Sequence, residues 1–166
     1  MLKINEIFDT IQGEAHYTGT PATFIRLQGC PVGCNWCDTK HTWSTGTEKL
    51  KIEINEMLHK TKDSPKWSNV TEREIVNIVE KLKPRHFVLT GGEPCSQDIF
   101  ELTRLLATLG TDVKNLQKLV KNVNYGQLVW LQPVSQLQEN TDLCVKTAMD
   151  NNWRISIQTH KYMGVR

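Results

Sequence analysis

The sequence predicts an α/β protein whose strands are mostly parallel, with helices on the outer face of the sheet. Three observations carry that prediction. Short apolar runs of strand character alternate with helical stretches along the chain. The helical stretches are amphipathic, with apolar residues recurring at three- and four-residue spacing. A length of 166 residues is enough for one compact domain to bury a core.

The first strand is read at Ala22-Thr23-Phe24-Ile25-Arg26-Leu27, ending before Gly29. From Pro31 to about Lys66 the chain is rich in Ser, Thr, Gly and Lys and reads as loop, with a short helix around Ile54 to Lys60. Thr71-Glu72-Arg73-Glu74 is a capping-box pattern, a hydroxyl followed three residues later by a carboxylate. Behind it Ile75, Ile78, Val79 and Leu82 mark one helical face, and Pro84 stops the helix. His86-Phe87-Val88-Leu89-Thr90 reads as a buried strand. After Gly91-Gly92-Glu93-Pro94 a further helix carries Ile99, Leu102, Leu105, Leu106 and Leu109, with Gly110 as its C-cap. Alternation then breaks. Val113, Leu116, Val120 and Val123 form a second helical face with no strand before it. Leu128 to Leu131 resumes as a strand, about Asn140 to Asn151 is a helix, and Arg154 to Gln158 is the last strand. Four strands are identifiable in this way.

Composition narrows the function classes. Twenty Lys and Arg stand against 18 Asp and Glu, a formal net charge of +2. So even a balance gives no argument for a nucleic-acid surface, a polybasic membrane patch or an acidic tail. No apolar run approaches membrane-spanning length, and Met1 to Glu6 turns polar before a signal-peptide core could form. The expectation is a soluble, cytoplasmic protein.

Five cysteines are odd in number, and Cys30, Cys34 and Cys37 crowd together. A secreted disulfide framework favours an even, dispersed set, so the cluster reads as metal or redox chemistry. Cys95 and Cys144 stand apart and read as buried structural thiols. Three thiolates on a [4Fe-4S] cube leave one iron open to the amino and carboxylate groups of S-adenosylmethionine, whose sulfonium bond an electron can then break. The rival is zinc, with His41 completing a Cys3His set. The position of the cysteines directly after a strand, where α/β barrels carry their chemistry, weighs against it. At the end of the next strand, Gly91 and Gly92 allow the backbone to approach a ligand, and Glu93 can accept hydrogen bonds from an ammonium group.

The Cys-x3-Cys-x2-Cys pattern followed by Gly91-Gly92-Glu93-Pro94 resembles the radical S-adenosylmethionine superfamily. Phe8 to Glu14, Phe24 to Cys34, Trp36 to Trp43, Leu89 to Cys95, Leu131 to Gln136 and Gln158 to Tyr162 further resemble the 7-carboxy-7-deazaguanine synthase family of the enterobacterial type. That resemblance implies an incomplete TIM-like barrel with a radical S-adenosylmethionine core. It implies conversion of 6-carboxy-5,6,7,8-tetrahydropterin to 7-carboxy-7-deazaguanine by radical ring contraction with loss of ammonia, in queuosine and deazapurine biosynthesis. A [4Fe-4S] cluster, S-adenosylmethionine and Mg2+ are the implied cofactors. A homodimer and a flavodoxin-type electron donor are the implied assembly and partner.

Carried over by the same resemblance, Cys30, Cys34 and Cys37 hold the cluster. Trp36, Cys37, Asp38, Gly92, Glu93 and the Gln132, Pro133, Val134, Ser135 stretch contact S-adenosylmethionine. Ile11, Gln12, Gly13, Arg26, Thr90, His160 and Arg166 hold the substrate, and Thr39 binds Mg2+ through its hydroxyl. The chemistry suits these residues: Arg26 offers a planar fork for a carboxylate, and Thr39 a hard oxygen for Mg2+.

One departure matters. The family carries Thr-Ser-Gly and Ser-Pro-Lys segments between strands, and neither occurs here at the corresponding place. Ser64-Pro65-Lys66 lies before the second strand recognised above, out of position. A barrel of this kind takes about 200 residues or more. The helix-to-helix junction at Gly110-Thr111-Asp112 is where a segment is expected to be missing from a single domain spanning residues 1–166. The alternative that follows is a disabled family member acting as a binding or regulatory protein.

Overall fold

The computed structural model of the chain describes residues 1–46, 48–110, 130–131 and 137–165. The described strands are β1 (Leu2–Ile11), β2 (Pro21–Leu27), β3 (Ser68–Val70), β4 (His86–Gly91), β5 (Trp130–Leu131) and β6 (Arg154–Ile155). The described α-helices are α1 (Ile54–His59), α2 (Glu72–Val79), α3 (Phe100–Gly110), α4 (Gln138–Asn151) and α5 (Thr159–Met163). None of the described helices is long and apolar enough to cross a membrane.

Four strands form one sheet in the order β3-β1-β2-β4, and β5 and β6 form a second. β2 and β4 run parallel, in a register that sets Ala22 beside His86 and Leu27 beside Gly91. β5 and β6 are also parallel, whereas β1 and β3 are antiparallel, with Leu2 beside Val70 and Ile4 beside Ser68. The chain divides into two compact units: Met1–Asp9 with Ala22–Asp112, and Thr10–Pro21 with Val113–Arg166.

The core of the first unit follows from its apolar periodicities. Leu2, Ile4 and Ile7 of β1, Ile25 and Leu27 of β2, Met57 of α1 and Val70 of β3 are all buried. Ile75 and Val79 of α2 join them, as do Leu102 and Leu106 of α3, and α2 and α3 pack on one another. The capping box forms as the sequence expects. The Thr71 hydroxyl accepts the Glu74 N–H at 3.2 Å, and the Glu74 carboxylate accepts the Thr71 N–H at 2.8 Å.

Several sequence expectations are corrected. β1, the longest strand described, was not expected, and neither was β3. β4 is half-buried along its length rather than buried. Gly110 is the last residue of α3 itself, and Ile99 precedes that helix while still packing against the core. The last strand covers Arg154–Ile155 alone, and α2 ends at Val79, short of Leu82. Cys95 is exposed and Cys144 half-buried, where both were expected to be buried. The expected helical face at Val113 to Val123, and Leu128 and Val129 of the expected strand, lie outside the described residues.

Candidate functional site

In the first unit the cysteines follow directly from β2. Gly29 takes a φ of +104°, which only glycine adopts without strain, and turns the chain out of the sheet. The loop is then tied back at its base: the Gly29 N–H donates to the Thr42 carbonyl at 2.6 Å, and the Cys30 N–H to the Trp43 carbonyl at 3.1 Å. A buried polar chain supports this closure. Gln28, 1% exposed, donates its amide to the His41 and Ser44 carbonyls at 3.2 and 2.8 Å. Its carbonyl oxygen accepts the Asn5 amide at 2.7 Å. Asn5 in turn donates to the Ser64 and Lys66 carbonyls and accepts the Lys60 ammonium at 2.8 Å. Each of these groups is satisfied, which is the condition for burying it without a large penalty.

Cys30, Cys34 and Cys37 are free thiols, all half-buried. Cys37 is the most engaged. Its sulfur lies 3.4 Å from the Thr39 backbone N–H, 3.5 Å from the Thr39 hydroxyl and 3.4 Å from the Trp43 indole N–H. Burial pushes the Cys37 thiol up, but the hydrogen bonds from Thr39 and Trp43 together outweigh it and hold the thiol below its ordinary value. Thr39 also accepts the Thr42 N–H and hydroxyl on its carbonyl. Trp36 is 65% exposed, and Asp38 is exposed beside it.

Among the described residues, no three His, Cys, Asp or Glu side chains form a group able to hold a metal ion. The His41 Nε2 atom is buried without a hydrogen-bond partner. A four-iron cube is several ångströms wide and takes each thiolate on a different iron. It therefore needs three thiols in one loop rather than a common contact point. Partly buried thiols, with N–H and O–H donors aimed at one sulfur, suit such a cluster.

The two glycines at the end of β4 make their close approach to protein. A Cβ on Gly92 would strike the Gly29 backbone, and one on Gly91, at a φ of +113°, the Leu27 backbone. The Gly92 N–H donates to the Leu27 carbonyl and the Glu93 N–H to the Gly29 carbonyl, both at 2.9 Å. The glycines thus seat the end of β4 on the start of the cysteine loop. Glu93 caps the turn at Pro94–Ser96, its carboxylate accepting the Cys95 N–H at 3.0 Å.

Arg26 and Thr90 are register partners on β2 and β4, so their side chains leave the same face of the sheet. The Arg26 Nε donates to Glu6 at 2.7 Å, with the two side chains 16% and 7% exposed. The guanidinium also lies 5.7 Å from the Phe8 ring centre. Glu6 thus orients the arginine as well as balancing its charge.

The second unit brings together other residues picked out in the sequence. Gly13 is buried, and the His160 ring lies directly against its Cα. The Gly13 carbonyl accepts the Thr159 N–H and hydroxyl at 2.8 and 3.1 Å. Gln12 accepts the Gly19 N–H on its carbonyl and the Glu14 N–H on its side chain. Gln158 donates to Glu14 at 2.8 Å, and the buried Ser156 hydroxyl accepts the Ala15 N–H at 2.8 Å. Ile11, half-buried, ends β1 just before this turn. Gln132, Pro133, Val134, Ser135 and Arg166 lie outside the described residues.

Sequence reasoning gave no role to Asn5, Glu6, Gln28, Trp43 or Lys60. The usable signal was Asn5-Glu6, two polar residues inside an apolar run.

Three thiols in a loop after one strand, with Gly-Gly-Glu-Pro closing the parallel neighbour, define a radical S-adenosylmethionine protein. The family model described as Radical SAM superfamily matches residues 24–163. The 7-carboxy-7-deazaguanine synthase of Buchnera aphidicola subsp. Schizaphis graminum is 36% identical over 217 aligned positions, covering 98% of each chain. The synthase of Escherichia coli strain K12 is 35% identical over 219, again covering 98% of each. The crystal structure of QueE from Escherichia coli matches with a TM-score of 0.80 and 33% identity, over 95% of this chain and 93% of that one. The chain belongs to the 7-carboxy-7-deazaguanine synthase family of that superfamily, and shares its partial-barrel α/β fold. Membership implies a [4Fe-4S] cluster and S-adenosylmethionine.

Proposed function

We propose that this chain is a radical lyase that converts 6-carboxy-5,6,7,8-tetrahydropterin to 7-carboxy-7-deazaguanine and ammonia, with S-adenosylmethionine as cofactor. The observation that carries the reading is the cysteine loop, pinned to β2 and β4, in a chain 36% identical to a named synthase. Cys30, Cys34 and Cys37 would hold the cluster, which supplies the electron for sulfonium cleavage. Trp36, Asp38, Gly92 and Glu93 would bind S-adenosylmethionine beside it, together with Gln132 to Ser135.

Arg26, anchored through Nε by Glu6, would present the rest of its fork to the substrate carboxylate, with Thr90 on the same face. By family resemblance, Ile11, Gln12, Gly13, His160 and Arg166 are further candidates for holding the substrate. Thr39, its hydroxyl beside Cys37, would give Mg2+ an oxygen ligand close to the cluster. A cytoplasmic homodimer fed by a flavodoxin-type donor completes the proposal, and its reduced thiols suit that compartment.

The test is anaerobic reconstitution followed by turnover with substrate, S-adenosylmethionine, Mg2+ and reductant. The expected result is about four irons and four sulfides per chain and accumulation of the deazaguanine, both abolished by Cys34→Ala. A colourless protein carrying one zinc per chain overturns the proposal, as does a filled cluster that gives no product.

A further inference from the structure

Trp43 is bonded to both the first and the third cysteine of the loop. Its carbonyl accepts the Cys30 N–H at 3.1 Å, and its indole N–H donates to the Cys37 sulfur at 3.4 Å. The segment that carries it is held by further hydrogen bonds. Its own N–H donates to the Lys40 carbonyl, closing the 3-10 turn Lys40–Thr42. The carbonyls of His41, within that turn, and of Ser44, just after Trp43, accept the buried Gln28 amide. Thr42, fully buried, ties the same segment to Gly29. The Lys40 ammonium lies 5.7 Å from the indole ring centre, a cation–π distance that also draws electron density from the ring and strengthens its N–H as a donor.

We propose that Trp43 tunes the redox potential of the cluster. The inference rests on the iron–sulfur reading of this loop. One-electron reduction by a low-potential donor adds negative charge to the cysteine sulfurs without making or breaking a covalent bond. A fixed N–H dipole aimed at one of those sulfurs stabilises the reduced form more than the oxidised form. Hydrogen bonds to cluster sulfurs are one of the levers that set such potentials. Trp43 therefore makes the cluster easier to reduce, and acts on the chemistry through Cys37 rather than by touching substrate.

The test compares full-length, anaerobically reconstituted wild type with Trp43→Phe, which keeps an aromatic side chain and the backbone bonds while removing the indole N–H. Iron and sulfide content establishes equal loading, and a redox titration followed by electron paramagnetic resonance reads the potential. The expected result is a cluster about tenfold harder to reduce in the variant, a midpoint lower by about 59 mV for a one-electron couple. Equal midpoints in two equally loaded proteins overturn the proposal, since a merely structural role leaves the potential unmoved.

If Trp43→Phe holds no cluster, otherwise wild-type protein with 15N-indole tryptophan introduced at position 43 alone by nonsense suppression decides. A 15N hyperfine coupling in the reduced spectrum supports the contact with Trp43, and its absence overturns it. A wild-type protein that assembles no cluster sinks the iron–sulfur reading as well. An unshifted midpoint sinks only the role of Trp43.

Discussion

Two glycine positions decide how closely the end of β4 approaches the start of the cysteine loop. At Gly92 the space a methyl group would need is already taken by the Gly29 backbone. Gly92→Ala must therefore push β4 off β2 and lengthen both 2.9 Å bonds that Gly92 and Glu93 make to Leu27 and Gly29. Overpacking of this kind costs about 1–3 kcal/mol. The variant should unfold at correspondingly lower urea and lose cluster occupancy. Gly46→Ala is the control: the nearest atom to its added Cβ is the Ser44 hydroxyl at 4.0 Å, and its midpoint should match wild type.

Among the elements, α2 carries a prediction of its own. Thr71→Ala removes one half of the capping box and should cost about 0.5–2 kcal/mol at neutral pH, read by urea denaturation. The same cap confers an acid sensitivity. Hydrogen bonds from the Thr71 N–H and hydroxyl hold the Glu74 carboxyl below its ordinary value of 4.5. A carboxyl lowered in the folded state stabilises the fold above that ordinary value, and the contribution is lost as pH falls through the lowered one. Wild type should therefore lose stability between neutral pH and pH 3 more steeply than Glu74→Gln.

The elements also show which residues the sequence makes readable. α2 and α3 obey their periods because each buries one apolar face, through Ile75 and Val79 in α2 and Leu102 and Leu106 in α3. β1 escapes notice because Asn5 and Glu6 interrupt its pattern, although both are buried. Asn5 is consumed by Gln28 and Lys60, and Glu6 by Arg26. The cysteine triad and the Gly-Gly-Glu-Pro turn were visible as short spacings. The clamp behind them was not, since Asn5 meets partners 23 and 55 residues away, and no local pattern records such a meeting.

For the whole molecule, the relatives pose a question of length. The alignment with the Buchnera synthase runs over 217 positions against 166 residues here, so that synthase carries residues with no counterpart in this chain. We propose that the gap falls at the Gly110-Thr111-Asp112 junction. Grafting the corresponding segment of the Escherichia coli synthase there should raise the melting temperature and at least maintain turnover per cluster. A graft that unfolds the protein, at a junction tolerant of short Gly-Ser insertions, would place the gap elsewhere. Turnover by the 166-residue chain itself excludes a purely regulatory protein.

The turn at residues 12–15 has a consequence in time. Its hydrogen-bond partners, Ser156, Gln158 and Thr159, lie 141 to 146 residues further along the chain. During synthesis this turn leaves the ribosome well before these partners are made and must wait for them. Contacts so distant in sequence are slow to form, so this turn should be among the last parts of the protein to gain protection in pulse-labelled hydrogen exchange. A ribosome stalled before codon 156 would display a chain with its cysteines already made and this turn still unfastened.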